Sequence, residues 1–269
     1  MRRFGLIGYP LSHSFSKKYF TDKFETAGLK DCVYELYPLT DITGLKTLLN
    51  TAPELRGLNV TIPYKEIVIP YLDKLDETAR IVGAVNTIRI HDKGTERILE
   101  GFNTDVYGFR QSIKPFLESH HERALVLGTG GASKAVAYVL KQIGVDVYFV
   151  TRNKEAAFAE ASTVKAGGNS KEKMFTYSEL NEHIIKHFPL IINTTPLGTY
   201  PNVNDAPDIP YSFLTPQHFL YDLTYNPSET KLMAEGKARG AQVLNGLSML
   251  QQQAEKAWEI WNTDLGIGI

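Results

Sequence analysis

The sequence predicts an α/β protein of two domains built on mostly parallel sheets. Three observations lead there. Strands and helices alternate through the first third of the chain, the order of parallel strands joined by helical crossovers. Over residues 122–150 a strand, a glycine-rich turn, a helix and a second strand follow one another, the context a dinucleotide fingerprint requires. The length, 269 residues, suffices for two domains.

Composition narrows the partners. Hydrophobic residues make up 43% and charged residues 22%, ordinary for a globular chain. Lys plus Arg number 29 against 30 Asp plus Glu, so no global field draws nucleic acid or anionic membrane, and a small-molecule partner is favoured. No apolar run approaches the ~20 residues that span a bilayer. The basic, briefly apolar start is stopped by Gly8-Tyr9-Pro10, too early for a signal peptide. The single cysteine, Cys32, excludes an internal disulfide and offers no metal cluster, so no metal is expected. A cytoplasmic location follows.

In order, residues 4–8 read as a buried strand ended by the Gly-Tyr-Pro turn. A helical pattern then runs through Tyr19, Phe20, Phe24 and Ala27, with Gly28 at its end. Serines stand at 12, 14 and 16. Ser14 or Ser16 caps the helix, yet only one can, and a helix N-terminus with spare hydroxyls also receives a carboxylate. Residues 33–37 read as a second strand, 42–49 as a helix capped by Thr40 or Asp41, and 58–62 as a third strand. Residues 67–72 and 76–83 read as short helices. Strand 84–90, a turn at 91–94 and a return at 97–101 make a hairpin, which delivers Asn103-Thr104-Asp105 to a helix from about residue 106.

Within this stretch, Asn59 and Thr61 are two apart and share one face of a strand. Pro63 then turns the chain and places Lys65 past the break. An ammonium beside an amide and a hydroxyl suits the oxygens of a small polyol or keto acid. The plainer alternative is an edge strand ending in a solvated lysine. Asp105 is open between a helix cap and a functional carboxylate, and Asn86 between a strand-end amide and a ligand contact.

The middle begins with strand 122–127, then Gly128-Thr129-Gly130-Gly131-Ala132-Ser133, helix 132–142, Gly144 and strand 145–150. The glycines permit a tight turn and let backbone N–H groups reach a pyrophosphate. Ser133 stands where the fingerprint has its third glycine. NAD enzymes place an acid at the end of the second strand; here Thr151-Arg152-Asn153-Lys154 offers a guanidinium and an ammonium, which suit a 2′-phosphate. NADP is therefore the expected cofactor. Residues 167–173 read as a polar surface loop, and 190–198 and 219–227 as strands with polar, proline-bounded ends that face a ligand crevice. A last strand covers 242–246 and a last helix about 248–261, with Leu250, Ala254, Ala257, Trp258 and Trp261 as its buried stripe. Gln251, Gln252 and Gln253 point three ways, so at most one or two face a site. The tail after Asn262 carries no packing signal.

Ser14-x-Ser16, Asn59-x-Thr61-x-Pro63-x-Lys65, Gly83-Ala84-x-Asn86-Thr87 and Gly101-x-Asn103-Thr104-Asp105 together resemble the shikimate dehydrogenase family. So do Gly128-x-Gly130-Gly131-Ala132, Asn193-Thr194-Thr195-Pro196-x-Gly198, Tyr221-Asp222 with Tyr225, and Gly246-Leu247-x-Met249-Leu250 with Gln253. The resemblance covers nearly the whole chain. It implies reversible NADPH-dependent reduction of 3-dehydroshikimate to shikimate in aromatic amino acid biosynthesis, by a monomer or homodimer. It also implies a substrate domain of residues 1–105 completed by 245–269, a Rossmann-like NADP-binding domain of 106–244, and an active site in the cleft between them. By resemblance, Lys65 and Asp105 are the catalytic pair. Ser14 and Ser16, with Tyr225, bind the substrate carboxylate, and Asn59, Thr61, Asn86, Asp105 and Gln253 hold ring hydroxyls. Gly128, Gly130, Gly131, Ala132, Thr151, Arg152, Asn153, Thr194 and Gly246 contact the cofactor. The chain departs from the family where Thr151-Arg152-Asn153 replaces the common Asn-Arg-Thr, and where Ser248 replaces a common glycine.

Overall fold

A computed structural model of the chain describes residues 1–11, 14–93, 96–155, 157 and 173–263. Ser12, the turn residue Gly94, residues 167–172 of the expected loop and the tail from 264 lie outside the described residues. The chain forms two compact units, Met1–Thr104 with Ala254–Ile269, and Asp105–Gln253.

The first unit is a six-stranded sheet in the order β2-β1-β3-β5-β6-β4. Its strands are β1 (Arg2–Gly8), β2 (Cys32–Pro38), β3 (Leu55–Val60), β4 (Lys74–Leu75), β5 (Thr87–Lys93) and β6 (Glu96–Phe102). β1 pairs in parallel with both β2 and β3, whereas β5 is antiparallel to β3 and to β6. Helices supply the crossovers of the parallel β1–β2–β3 part: α1 (Phe15–Thr26) after β1 and α2 (Gly44–Thr51) after β2. On one face α1 lays Phe20 and Phe24 against Phe4, Tyr34 and the Ala254, Ala257 and Trp261 stripe of the last helix. On the other face Leu45, Tyr64 and Ala79 close over Ile7, Leu58 and Ile88.

Here the structure redraws three expected boundaries. The helix expected at 67–72 begins earlier, as α3 (Tyr64–Ile67), and ends as a 3₁₀ turn over Ile69–Tyr71. The third strand stops at Val60, ahead of the proline. α2 begins at Gly44, because Asp41 spends its carboxylate on the Thr43 N–H (2.8 Å) and hydroxyl instead of capping the helix. α4 (Glu77–Val82) conforms: Asp76 accepts from the Thr78 and Ala79 N–H groups, and Gly83 ends it in the left-handed conformation (φ +69°).

The second unit is a wholly parallel sheet, β12-β11-β10-β7-β8-β9. Its strands are β7 (Arg123–Leu127), β8 (Asp146–Thr151), β9 (Met174–Thr176), β10 (Leu190–Asn193), β11 (Phe219–Asp222) and β12 (Gln242–Asn245). Read outward from β7, the order is that of a doubly wound dinucleotide-binding sheet, with its switch point between β7 and β10. Helices α5 (Thr104–Ile113), α6 (Gly131–Gln142), α7 (Glu182–His187) and α8 (Lys231–Lys237) cover it, and α9 (Leu247–Asn262) is the last helix among the described residues. The central strands β7, β10 and β11 are buried almost throughout, as strands covered on both faces require, whereas the edge strand β12 is not. Among the described residues no helix is long and apolar enough to cross a membrane, and no cluster of His, Cys, Asp or Glu is fit to hold a metal.

Candidate active site

In the first unit the polar residues gather where β1 and β3 end. The Thr61 N–H donates to the Ile7 carbonyl (3.0 Å), which sets the turn after β3 beside the end of β1. Of the two serines, Ser14 is the helix cap, its Oγ accepting from the Lys17 N–H (3.4 Å). Ser16 is buried inside α1, on the face that also carries Phe20 and Phe24.

Asn59, Asn86, Thr87, Asn103 and Thr104 are all buried. The strand register lines them up: Asn59 stands opposite Thr87, and Thr87 opposite Phe102, the residue before Asn103. The Asn86 Oδ1 accepts from the Thr104 N–H (2.7 Å), the Thr104 hydroxyl (3.1 Å) and the Thr87 hydroxyl (3.2 Å). Asn86 is therefore more than a strand-end amide, because it ties the start of β5 to the start of α5. The Asn59 Oδ1 accepts from the buried Tyr34 hydroxyl (2.7 Å). Asn103 donates to the Ala84 carbonyl (2.9 Å). Each buried polar group left unpaired costs ~1–3 kcal/mol, so a bonded row of five is a demanding way to end a sheet. An apolar row would serve the fold as well; the polar one provides donors and acceptors in fixed directions.

Lys65 stands half-buried on the single turn of α3, one step into a helix and not on the open turn expected. Two bonds fix that turn: the Tyr64 hydroxyl donates to the Leu39 carbonyl (2.6 Å) and the Val85 N–H to the Lys65 carbonyl (2.7 Å). Thr61, partly exposed, precedes it. Asp105 is buried in the first turn of α5, one residue past its start, so it is not the cap. Gln253 is the buried one of the three glutamines, its Nε2 donating to the Leu250 carbonyl (3.0 Å). Tyr225 is partly buried in the loop after β11.

In the second unit the glycine turn sits at the switch point. Gly128 takes φ +105° and its N–H donates to the Val150 carbonyl (2.9 Å), a conformation that favours glycine. Ser133, in place of the third glycine, is buried and bonds back to the Gly130 carbonyl (2.5 Å), so the turn closes without it. Thr194, beside this turn, commits its hydroxyl to the Leu127 carbonyl (2.6 Å). Gly246 has a structural necessity of its own: a Cβ there would lie 1.9 Å from the Leu223 carbonyl oxygen.

A dinucleotide fits these residues. A Cβ on Gly130 would meet nothing within 4 Å, and this residue caps the 12-residue α6 with no side chain over its N–H groups. That open cradle, with Gly131 and Ala132 following, matches a pyrophosphate at a helix N-terminus. At the end of β8, Arg152 is exposed and charged, near enough to Tyr177 to oppose the upward push that burial gives that phenol. Thr151 and Asn153 are engaged in the local turn, the Asn153 N–H donating to the Thr151 Oγ1 (3.3 Å). The ammonium expected beside Arg152 is spoken for: Lys154 pairs with Glu179 (2.6 Å).

Two further buried polar groups, one in each unit, stand behind these residues. At the carboxyl ends of β10 and β11, Asp222 is fully buried and accepts from Asn193 (3.0 Å), the Thr224 N–H (3.0 Å) and the Thr230 hydroxyl (2.7 Å). Burial pushes its carboxyl above the ordinary range, and the Thr230, Thr224 and Asn193 donors oppose that push. Tyr34 is the other; its phenol is driven far up by burial and held back only in part by the Ser16 hydroxyl beside it. A tyrosine at an inward position of an alternating strand reads as core, and only its bond to Asn59 distinguishes it.

A family model described as the shikimate dehydrogenase substrate binding domain matches residues 6–88. The curated shikimate dehydrogenase (NADP(+)) of Methanosphaera stadtmanae is 36% identical over 261 residues, covering 96% of this chain and 90% of that one. A shikimate dehydrogenase crystallised in complex with NADP+ matches 98% of this chain and 90% of its own at a TM-score of 0.83 and 33% identity. That of Thermus thermophilus, crystallised with NADP(H) and shikimate, matches 98% of this chain and 94% of its own at a TM-score of 0.80 and 31% identity. With the resemblance running through both units, and with the doubly wound sheet and glycine turn in place, the chain belongs to the shikimate dehydrogenase family.

Proposed function

We propose that the protein is an NADP-dependent oxidoreductase that reversibly reduces 3-dehydroshikimate to shikimate in aromatic amino acid biosynthesis. One observation carries this reading: a chain similar along nearly its whole length to shikimate dehydrogenases (NADP(+)) ends its first sheet in a bonded row of buried polar residues. Residues 1–105 with 245–269 are the substrate-binding domain and 106–244 the dinucleotide-binding domain. The enzyme works in the cytoplasm as a monomer or homodimer, without nucleic-acid or membrane partners.

Lys65 and Asp105 are the catalytic residues. Ser14, Ser16 and Tyr225 bind the substrate carboxylate, and Asn59, Thr61, Asn86, Asp105 and Gln253 bind the ring hydroxyls. Gly128, Gly130, Gly131 and Ala132 hold the pyrophosphate of the cofactor, Thr151, Arg152 and Asn153 its 2′-phosphate end, and Thr194 and Gly246 its remaining length. Bound NADPH supplies the hydride. As the carbonyl carbon is reduced, negative charge builds on its oxygen; the Lys65 ammonium stabilises that charge and gives up the proton. Asp105 binds a ring hydroxyl and keeps the ring in register for that transfer.

The test is a spectrophotometric assay of purified enzyme with shikimate or quinate against NADP or NAD. Shikimate with NADP is expected to give the highest kcat/KM. No reduction of NADP by shikimate overturns the proposal, and faster turnover of quinate with NAD replaces it by a quinate dehydrogenase.

A further inference from the structure

The buried tyrosine beneath the polar row has a place in the reaction that its core position conceals. Tyr34 lies on β2, across β1 from Asn59: Tyr34 stands opposite Phe4, and Asn59 opposite Leu6. Its hydroxyl crosses that strand to donate to the Asn59 Oδ1 at 2.7 Å. This single bond fixes which end of the amide points where. The Asn59 Nδ2 is turned toward the Thr87 Oγ1 (3.3 Å) and the Asn86 carbonyl (3.4 Å), and so feeds the row that continues to Asn86 and Thr104.

The same side chain also sets α1. Ser16, Phe20 and Phe24 are the buried residues of that helix, spaced four apart and therefore on one face. Phe20 stacks flat on the Tyr34 ring, with centroids 4.7 Å apart and planes 12° off parallel, and Ser16 sits one turn earlier beside the Tyr34 hydroxyl. One phenol thus gauges two elements: its ring holds α1 at a fixed height, and its hydroxyl holds the amide on β3. A hydroxyl has one proton to give, and here Asn59 takes it; the Ser16 hydroxyl faces the lone pairs that remain.

We infer that Tyr34 is a positioning residue for substrate binding, acting through Ser16 and Asn59 and touching neither substrate nor cofactor. The inference rests on the proposed assignment of those two residues to shikimate. Tyr34→Phe keeps the ring and its stacking and removes only the hydroxyl, which leaves the Asn59 oxygen buried without its donor. Losing such a bond is expected to raise the KM for shikimate about tenfold. The kcat should change by less than about threefold and the KM for NADP not at all, because no transition-state group is lost. Loss of mere stability would move no such split between two substrates of one enzyme.

A mutant cycle identifies the route. If Tyr34 acts through Ser16 and Asn59, Tyr34→Phe adds nothing to the shikimate KM already raised by Ser16→Ala and Asn59→Ala together. Additive losses, or an unchanged shikimate KM in folded Tyr34→Phe, overturn the inference. Should Tyr34→Phe not accumulate as folded protein, a crystal structure of the native enzyme with shikimate and NADP decides instead. Ser16 or Asn59 must then touch the ligand while the Tyr34–Asn59 bond persists; both residues out of contact overturn it. Failure of the native enzyme to oxidise shikimate at all is a different result, which removes the proposed function and not this relay alone.

Discussion

Gly57 and Trp261 meet where any side chain on residue 57 would collide: a Cβ there would lie 2.3 Å from the indole Nε1 and 2.4 Å from Cδ1. The indole has little room to yield. Its N–H donates to the Ile88 carbonyl (3.0 Å), and its ring stacks on Phe4 with centroids 5.0 Å apart. Trp261 is thereby the peg that seats the end of α9 on the first sheet. Gly57→Ala is expected to destabilise the first unit by about 1–3 kcal/mol, the usual cost of overpacking a core. Urea unfolding followed by tryptophan fluorescence measures it, with the midpoint lowered and the slope unchanged. Trp261→Phe should recover part of the loss in the double variant; full additivity would mean the two residues do not constrain each other.

The helical turn of Lys65 is held by the Val85 N–H on the Lys65 carbonyl and by the Tyr64 hydroxyl on the Leu39 carbonyl, so the lysine side chain can be removed without breaking either bond. In Lys65→Ala we expect kcat to fall about 10²- to 10⁴-fold, the range for loss of a positioned acid. The KM for shikimate should move by only a few-fold, since the interaction is made chiefly in the transition state. Steady-state kinetics of the purified variant checks both numbers. Near-normal turnover would take the lysine out of the chemistry.

What the sequence disclosed follows the range of the interactions involved. The glycine turn of residues 128–133 was legible because its requirements are local: a left-handed glycine, a bare helix N-terminus and a strand on either side. The alternation of strands and helices gave the parallel pairing, and the hairpin of β5 and β6 announced its antiparallel partner. Two short strands, β4 and β9, escaped notice because two or three residues show no period. The sequence leaves the cap of α1 open between Ser14 and Ser16, and Asp105 open between a cap and a functional carboxylate, because a helix start is fixed only to within a residue or two by local pattern. Bonds such as Tyr34 to Asn59 and Asn193 to Asp222 join residues 25 and 29 positions apart, and no local pattern encodes them. The pair of Lys154 with Glu179 is of the same kind, joining residues from two neighbouring strand ends.

The proposed contact with the 2′-phosphate of NADP centres on Arg152, since Lys154 is already paired with Glu179. Arg152→Ala should raise the KM for NADP about tenfold to a hundredfold, as losing a charge-assisted bond of ~1.5–3 kcal/mol implies, and leave the KM for NAD nearly unchanged. Parallel titration of the variant with both cofactors at fixed ionic strength measures the ratio. Equal losses for both would move the 2′-phosphate elsewhere.

Asp222 makes stability depend on pH in a direction opposite to that of most carboxylates. Burial is the leading influence on it, and its folded-state pKa lies above the unfolded value despite the Thr230, Thr224 and Asn193 donors. The folded protein therefore holds this proton more tightly than the unfolded chain does. Its contribution to stability is fully present below the ordinary carboxylate pKa of about 3.9 and is lost as pH rises through the folded value. Asp222→Asn keeps an acceptor for Asn193 and the Thr224 N–H but cannot ionise. The stability of the native protein relative to this variant should accordingly decline from pH 4 to pH 7. Urea midpoints of both proteins across that interval test it. A native advantage that grew with pH would mean that the three donors outweigh burial, and that the carboxylate, not the acid, is the form the fold prefers.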